Sequence, residues 1–280
     1  ALQLPFDRAR PARMSGRGAK HRFAWPAQTA QALREFARAE GVTVFAAALT
    51  AFQVLLSRLS GQPRVQVGSP VTLTASPQAR DLVGCFVNTL VLRADVAAGS
   101  SFREHVRRTR DRVYAALAHQ DLPFEALVDA LAPVRDPSRS PLCQTMFVLQ
   151  PDPWRAQAWH DLAVTPLDLD AGGARFDLLV SLWEGDGGLT GSIEYATDLF
   201  DAATIARIEA QFHTVLGAAL ATPQTDVADL PLLSPRERHT QLVAWNDTAR
   251  AFAAAETIHA GFERRASEQP RALALIDTRG

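Results

Sequence analysis

Apolar residues recur at helical spacing in several long stretches of this chain and alternate with polar ones in a few short stretches. Over residues 28–40, Leu33, Phe36 and Ala37 form one stripe, which predicts an amphipathic helix. Gly41 stands where a left-handed C-cap belongs. Thr43 can cap a second helix over 44–59. Its large residues, Phe45, Leu49, Phe52, Leu55 and Leu56, lie almost all round, so burial on several sides is expected. Residues 65–67 alternate like a strand, and 90–95, led into by Phe86 and Val87, form another. Ser100 or Ser101 with Glu104 has capping-box spacing for a helix running to Ala118. Pro123, read as a first-turn proline, predicts a short helix over 124–131. Residues 144–149 are strand-like. The runs 177–183 and 189–195 flank a glycine-rich turn and predict a hairpin. Asp201 is placed to cap a helix over 202–220, striped by Ile205, Ile208, Phe212, Val215 and Leu216.

The remainder is punctuation. Residues 1–22 are rich in Pro and Arg and read as an extended linker; 222–236 read as a second linker. A short helix over 237–245, a turn at 246–248, an amphipathic helix over 258–267 closed by Pro270, and a strand beginning at 272–276 complete the chain. The mixture predicts an α/β layered sandwich.

Composition narrows the function little. In 280 residues, 47% are hydrophobic and 21% charged, and the formal charge is -1. No field of one sign favours nucleic acid or an anionic membrane. Lys20 is the only lysine, so arginine supplies the cations. Cys85 and Cys143 have no Cys or His partner at metal-ligand spacing and are expected to be two buried free thiols, with a disulfide between them as the alternative. No apolar run reaches the roughly 20 residues that span a bilayer. The first residues lack a signal-peptide core, so a cytoplasmic location is expected. Without an initiating Met, the chain reads as part of a longer polypeptide.

Three motifs stand in order: Gly84-Cys-Phe86-Val-Asn88-Thr89, His119-Gln-Asp121-Leu-Pro123-Phe124-Glu125, and Arg135-Asp136-Pro-Ser138-Arg139-Ser-Pro-Leu142. Together they resemble the later part of the condensation domain of nonribosomal peptide synthetases. Leu4-Pro-Phe-Asp7 with Arg10-Pro11 looks like the segment by which that family's chain enters its second lobe. Ile193-Glu-Tyr195 and Asp198-Leu-Phe200 match the late hairpin and helix entry. Leu230 to Ser234 and Trp245-Asn246 resemble the linker that follows, and 257–277 the start of an adenylation domain. Two departures are visible: Leu73-Thr74 stands where the family usually has Gly-Arg, and Cys143 where it usually has Phe. The Arg-Asp-x-Ser-Arg form resembles the subclass that accepts an L-configured donor.

The resemblance implies two lobes, each like chloramphenicol acetyltransferase, with an active-site tunnel between them. This chain would be the C-terminal lobe: an inter-lobe segment at 1–22, the lobe at 23–221, the condensation–adenylation linker at 222–250, and the truncated edge of an adenylation domain at 251–280. Gly84, Phe86, Asn88 and Thr89 would then border the substrate tunnel. The family's catalytic motif, His-His followed three residues later by Asp-Gly, is not in the sequence. No cofactor is expected on the chain itself; its substrates would ride on the phosphopantetheine of peptidyl carrier domains. Its partners would be those carriers, the N-terminal lobe and the adenylation domain.

The residues read by themselves leave alternatives. His119 is chemically able to act as a base, but Asp121, Glu125 and a nearby helix end suit a structural hydrogen-bond network. Asn88 could orient a carbonyl in a tunnel or hold a loop backbone. Asp136 and Arg139 read as an ion pair or loop clamp, and Ser138 has no neighbouring His to make it a nucleophile. Arg103, Arg107, Arg108, Arg110 and Arg112 form either a solvated helix face or a dock for an acidic carrier protein. Three functions follow: a lobe of a peptide-bond-forming enzyme, inactive alone; a stand-alone acyltransferase using His119 at an oligomer interface; or a docking module.

Overall fold

The computed structural model describes residues 1–73, 82–151, 157–159, 162–164, 167, 169, 171–185, 188–250 and 257–274. Two compact units emerge, 1–234 and 235–280. The first is an α/β sandwich built on a six-stranded mixed sheet. Its elements are β1 (Gly18–Trp25), α1 (Ala27–Glu40), α2 (Val44–Ser60), β2 (Arg64–Thr72), β3 (Val87–Asp95), α3 (Phe102–Leu117), α4 (Phe124–Leu131), β4 (Thr145–Pro151), a small β5–β6 pair (Gln157–Trp159, Leu162–Val164), β7 (Leu178–Gly185), β8 (Gly188–Ala196) and α5 (Ala202–Ala221). The sheet order is β1-β8-β7-β4-β2-β3. β7 pairs parallel with β4 and β4 with β2, while the other three pairings are antiparallel.

α2 is the centre of the core. Every residue from Ala46 to Ser57 is buried, which a helix apolar almost all round requires. Its Phe52 ring lies 5.6 Å from Phe147 of β4 and 5.5 Å from Phe212 of α5, and Trp25 of β1 closes on Phe212 at 5.1 Å. The buried polar groups of α2 are satisfied. Gln53 donates to the Leu92 carbonyl and accepts from the Thr109 hydroxyl, so strand β3, α2 and α3 share one amide.

The local capping signals hold. Gly41 adopts φ 63°, ψ 39°, the Thr43 side chain accepts from Ala46 N–H at 3.1 Å, and Ser101 with Glu104 closes a capping box at the start of α3. Four expectations are corrected. Residues 1–22 are not simply a linker: Leu2 and Leu4 are buried, and 18–22 begin the edge strand β1, paired with β8. Asp201 does not cap α5 with its side chain. Asp7 does so from the other end of the chain, accepting from Asp201 N–H at 2.8 Å and from the Thr204 hydroxyl at 2.8 Å; the Asp201 N–H is the main reason its carboxyl is held below the usual carboxylate range. The front of the 222–236 stretch is also folded in, because Val227 and Leu230 are buried and Arg58 donates to both carbonyls. Only one thiol is buried: Cys143 is, and Cys85 is exposed.

Cys143 sits against β2 at a strand position that demands glycine. A Cβ on Gly68 would lie 2.8 Å from Cys143 Sγ and 2.2 Å from Met146 Sδ. Burial pushes the Cys143 thiol up to about 11, so it is a packing group rather than a nucleophile.

The second unit holds α6 (Pro235–Leu242), a short 3-10 turn (Ala244–Asn246) and α7 (Ile258–Glu268). Helix α6 starts two residues before its expected position because Pro235 opens it. The expected strand at 272–276 falls partly outside the described residues; its first three residues are not in a strand. Among the described residues no single helix is long and apolar enough to cross a membrane.

Candidate functional site

The first two motifs meet through one side chain. Asn88 lies at the start of edge strand β3 and is buried, 8% exposed. Its amide nitrogen donates to the Gln120 and Leu122 carbonyls, both at 2.7 Å. Its oxygen accepts from Phe124 N–H at 3.0 Å and from Thr89 N–H at 2.8 Å. An asparagine has two donor hydrogens and two acceptor lone pairs, so all four are spent on backbone. Phe124 is the first residue of α4. Pro123 stands one place ahead of it, at φ -60°, ψ 140°, and offers no side-chain cap. The expectation of Pro123 inside the first turn is thus corrected by one residue, and Asn88 supplies the missing cap from a neighbouring strand. Gly84 is exposed and Phe86 half-buried, its carbonyl accepting from Leu73 N–H at 2.7 Å.

His119 takes no part in a side-chain network. It is exposed, and among the described residues its contribution is through backbone bonds that shape the α3–α4 turn. Asp121 and Glu125 are exposed as well. The network expected around this histidine is built instead by Asn88, one strand away. Glu125 lies in the first turn of α4, where a carboxylate suits the helix dipole.

The third motif forms a tied loop. Asp136 accepts from Ser138 N–H at 2.9 Å and from the Ser138 hydroxyl at 2.5 Å, and Arg139 Nε lies 2.6 Å from Asp136 Oδ2. That nitrogen is buried, and the contact is an ion pair. The Ser138 bonds, ahead of the Arg139 charge, hold the Asp136 carboxyl below its ordinary range. Asp136 and Arg139 are an ion pair, and the Ser138 bonds to the same carboxylate close the loop on it. Arg10 reaches in from the N-terminal segment. It donates to the Ser138 carbonyl at 2.9 Å and grips Asp177 with two guanidinium nitrogens. This pair is buried, 12% and 3% exposed. Gln144 completes the knot, donating to Ser140 O and accepting from Leu2 N–H, both at 3.0 Å.

Between this loop and α4 lies a cavity of about 990 Å³, walled by Val128, Asp129, residues 132–137 and 139–142, Gln66 and Gln144. Arg135, Asp136 and Arg139 line it, while Gly84, Phe86, Asn88, Thr89 and His119 do not. A second, mostly apolar space of about 190 Å³ lies among α2, α3, β2, β3 and β4. Reading the sequence missed Arg10 and Asp177 as partners and Gln66, Val128 and Asp129 as walls. Asp177, a carboxylate at the head of an apolar strand, was the one available signal. Among the described residues no group of three or more His, Cys, Asp or Glu could hold a metal.

The five arginines of α3 are mostly engaged. Arg103 and Arg107 both reach Glu40, itself 7% exposed, Arg112 reaches Asp95, and Arg110 pairs with the adjacent Asp111. The face is a set of ion pairs more than a free positive surface.

The family model of the condensation domain matches residues 1–242. The chain belongs to the condensation-domain family. A linear gramicidin synthase protein of Brevibacillus parabrevis is 41% identical over all of this chain, which spans 4% of that synthase. A holo four-domain nonribosomal peptide synthetase bound to AMP and glycine superposes with a TM-score of 0.86 at 23% identity, covering 96% of this chain and 22% of the other. The X-domain in its complex with OxyB from teicoplanin biosynthesis superposes with a TM-score of 0.75 at 26% identity, covering 83% of this chain and 52% of the other. The condensation-domain sandwich, like that of chloramphenicol acetyltransferase, is therefore the fold of this chain, and the chain is a condensation-domain part of a nonribosomal peptide synthetase.

Proposed function

We propose that the chain is the C-terminal lobe of its condensation domain, with the linker at 222–250 and the edge of an adenylation domain at 251–280. In this reading it walls a tunnel in the cytoplasm for substrates carried on the phosphopantetheine arms of partner carrier domains. The acceptor amine attacks the donor thioester carbonyl, the C–N bond forms, the C–S bond breaks, and the departing thiolate takes the proton the amine loses. Such a step needs a proton acceptor near the amine and donors at the oxyanion. The observation that supports a partner lobe is the employment of the motifs themselves. Asn88 spends its whole amide on backbone, Asp136 and Ser138 bond each other, and His119 is exposed. These groups scaffold; the working imidazole then comes from the N-terminal lobe, with its His-His-x-x-x-Asp-Gly motif.

The test mixes the chain with donor and acceptor carriers, both loaded. No amide forms with the chain alone, and product appears when a lobe bearing that motif is added. Turnover by the chain alone would sink the claim of inactivity, and its loss in His119→Ala would favour the stand-alone acyltransferase. No product with the added lobe would sink the lobe assignment.

A second reading rests on the likeness to the X-domain, whose solved partner is OxyB. The chain would then recruit an enzyme rather than join substrates. Micromolar binding of OxyB in calorimetry, with no amide formed after the motif-bearing lobe is added, would favour it.

A further inference from the structure

We infer that α4 is a hinged flap over the 990 Å³ cavity and that Asn88 is the clasp at its root. The two walls of that cavity are held very differently. On one side the 135–144 loop is knotted internally by Asp136 and Gln144, bound to the N-terminal segment through Arg10 and Leu2, and joined through Arg10 to Asp177 at the head of β7. On the other side stands α4, which contributes Val128 and Asp129 to the lining. Each of α1, α2, α3 and α5 buries four or more residues, whereas α4 buries none. Among the described residues no side chain of α4 makes a hydrogen bond or ion pair. Its attachment is at the root, where Asn88 holds the preceding turn and the first helical N–H.

Both ends of α4 are hinge-like. Pro123 leads into it at φ -60°, ψ 140°, after the turn that follows α3, and Ala132 ends it at φ 41°, ψ 51°, a left-handed conformation that costs a residue with a Cβ. Swinging the flap releases that strain and widens the space beside Val128. At its C-terminal end α4 is uncovered, with Leu131 61% exposed and Val134 of the following loop 93% exposed.

Hydrogen exchange on the 280-residue chain reads this directly, because a detached eight-residue helix does not hold itself together. Asn88→Ala speeds exchange across 124–131 by about tenfold or more and leaves α2 unchanged. In a Cys85→Ser background, thiol labelling of Val128→Cys accelerates with it. Equal acceleration in α2, or none in 124–131 or at position 128, overturns the flap. If Asn88→Ala does not fold, Ala132→Gly decides. Glycine takes the left-handed conformation freely, so exchange over 124–131 and labelling at 128 slow by about threefold; unchanged rates overturn the proposal.

Discussion

Helices α2 and α4 look alike as strings of letters: both are strongly apolar and rich in Leu, Val, Phe and Ala. Their fates are opposite. α2 is enclosed by α1, α3, α5 and the sheet, and twelve successive residues are buried. α4 has an equally clear stripe, Phe124, Leu127, Val128 and Leu131, yet none of these is buried. Hydrophobicity states a demand for cover; whether cover arrives depends on what the topology stacks on either side. α2 lies between the sheet and three helices. α4 leans from the edge strand β3, with a cavity beneath part of it.

The largest expected effect tests that difference head-on. Phe52→Ala removes a ring at 0% exposure that touches Phe147 and Phe212, and should cost about 3–5 kcal/mol in urea unfolding. Leu131→Ala, the same kind of truncation on α4, should stay within about 0.5 kcal/mol. Equal losses would erase the distinction between the two helices.

The second effect asks whether a polar group can belong to the enclosed region. Asp177 is 3% exposed and answers the guanidinium of Arg10, which is 12% exposed. Asp177→Asn leaves that cation buried and unpaired, and should cost about 3 kcal/mol by the same unfolding measurement. Because Arg10 also holds the Ser138 carbonyl, the third-motif loop should loosen together with the N-terminal segment. A loss under about 0.5 kcal/mol, the size of an exposed pair, would show that the knot is a surface feature.

What was legible in the sequence follows the range over which each signal acts. Gly41, Thr43 and the Ser101–Glu104 box work within one helical turn, so they could be read directly. The β7–β8 hairpin also showed in local alternation. Strand β1 did not, because its residues are mostly half-buried, Lys20 and Arg22 interrupt its apolar pattern, and its partner β8 lies far along the chain. Nor did the cap of α5, where Asp7 acts across 194 positions. The motifs pointed to the right segments, but not to the use made of them. Asn88 could have faced a substrate or a backbone; four short contacts decide for the backbone. The cavity wall at Gln66 left no trace, since an exposed glutamine on a strand carries no pattern.

The smallest effect sharpens the contrast through pH. His105 of α3 is 4% exposed, and its Nε2 is buried without a hydrogen-bond partner among the described residues. Burial is the chief reason its imidazolium is disfavoured, outweighing the bond to the Ala97 carbonyl; Arg108 and Arg112 disfavour it further and Glu104 opposes them. The folded chain therefore binds this proton less readily than the unfolded one. Above the ordinary histidine range of about 6.5 both states are neutral and nothing is lost. As the pH falls through that range the unfolded state takes the proton first, so stability declines, and the decline ends once the lowered folded value is passed. His105→Gln should remove this part of the acid limb when unfolding is followed from about pH 8 to about pH 5. If the acid limb of His105→Gln matches that of the parent chain, burial does not hold this imidazole neutral, and the region around α2 is no drier than the surface.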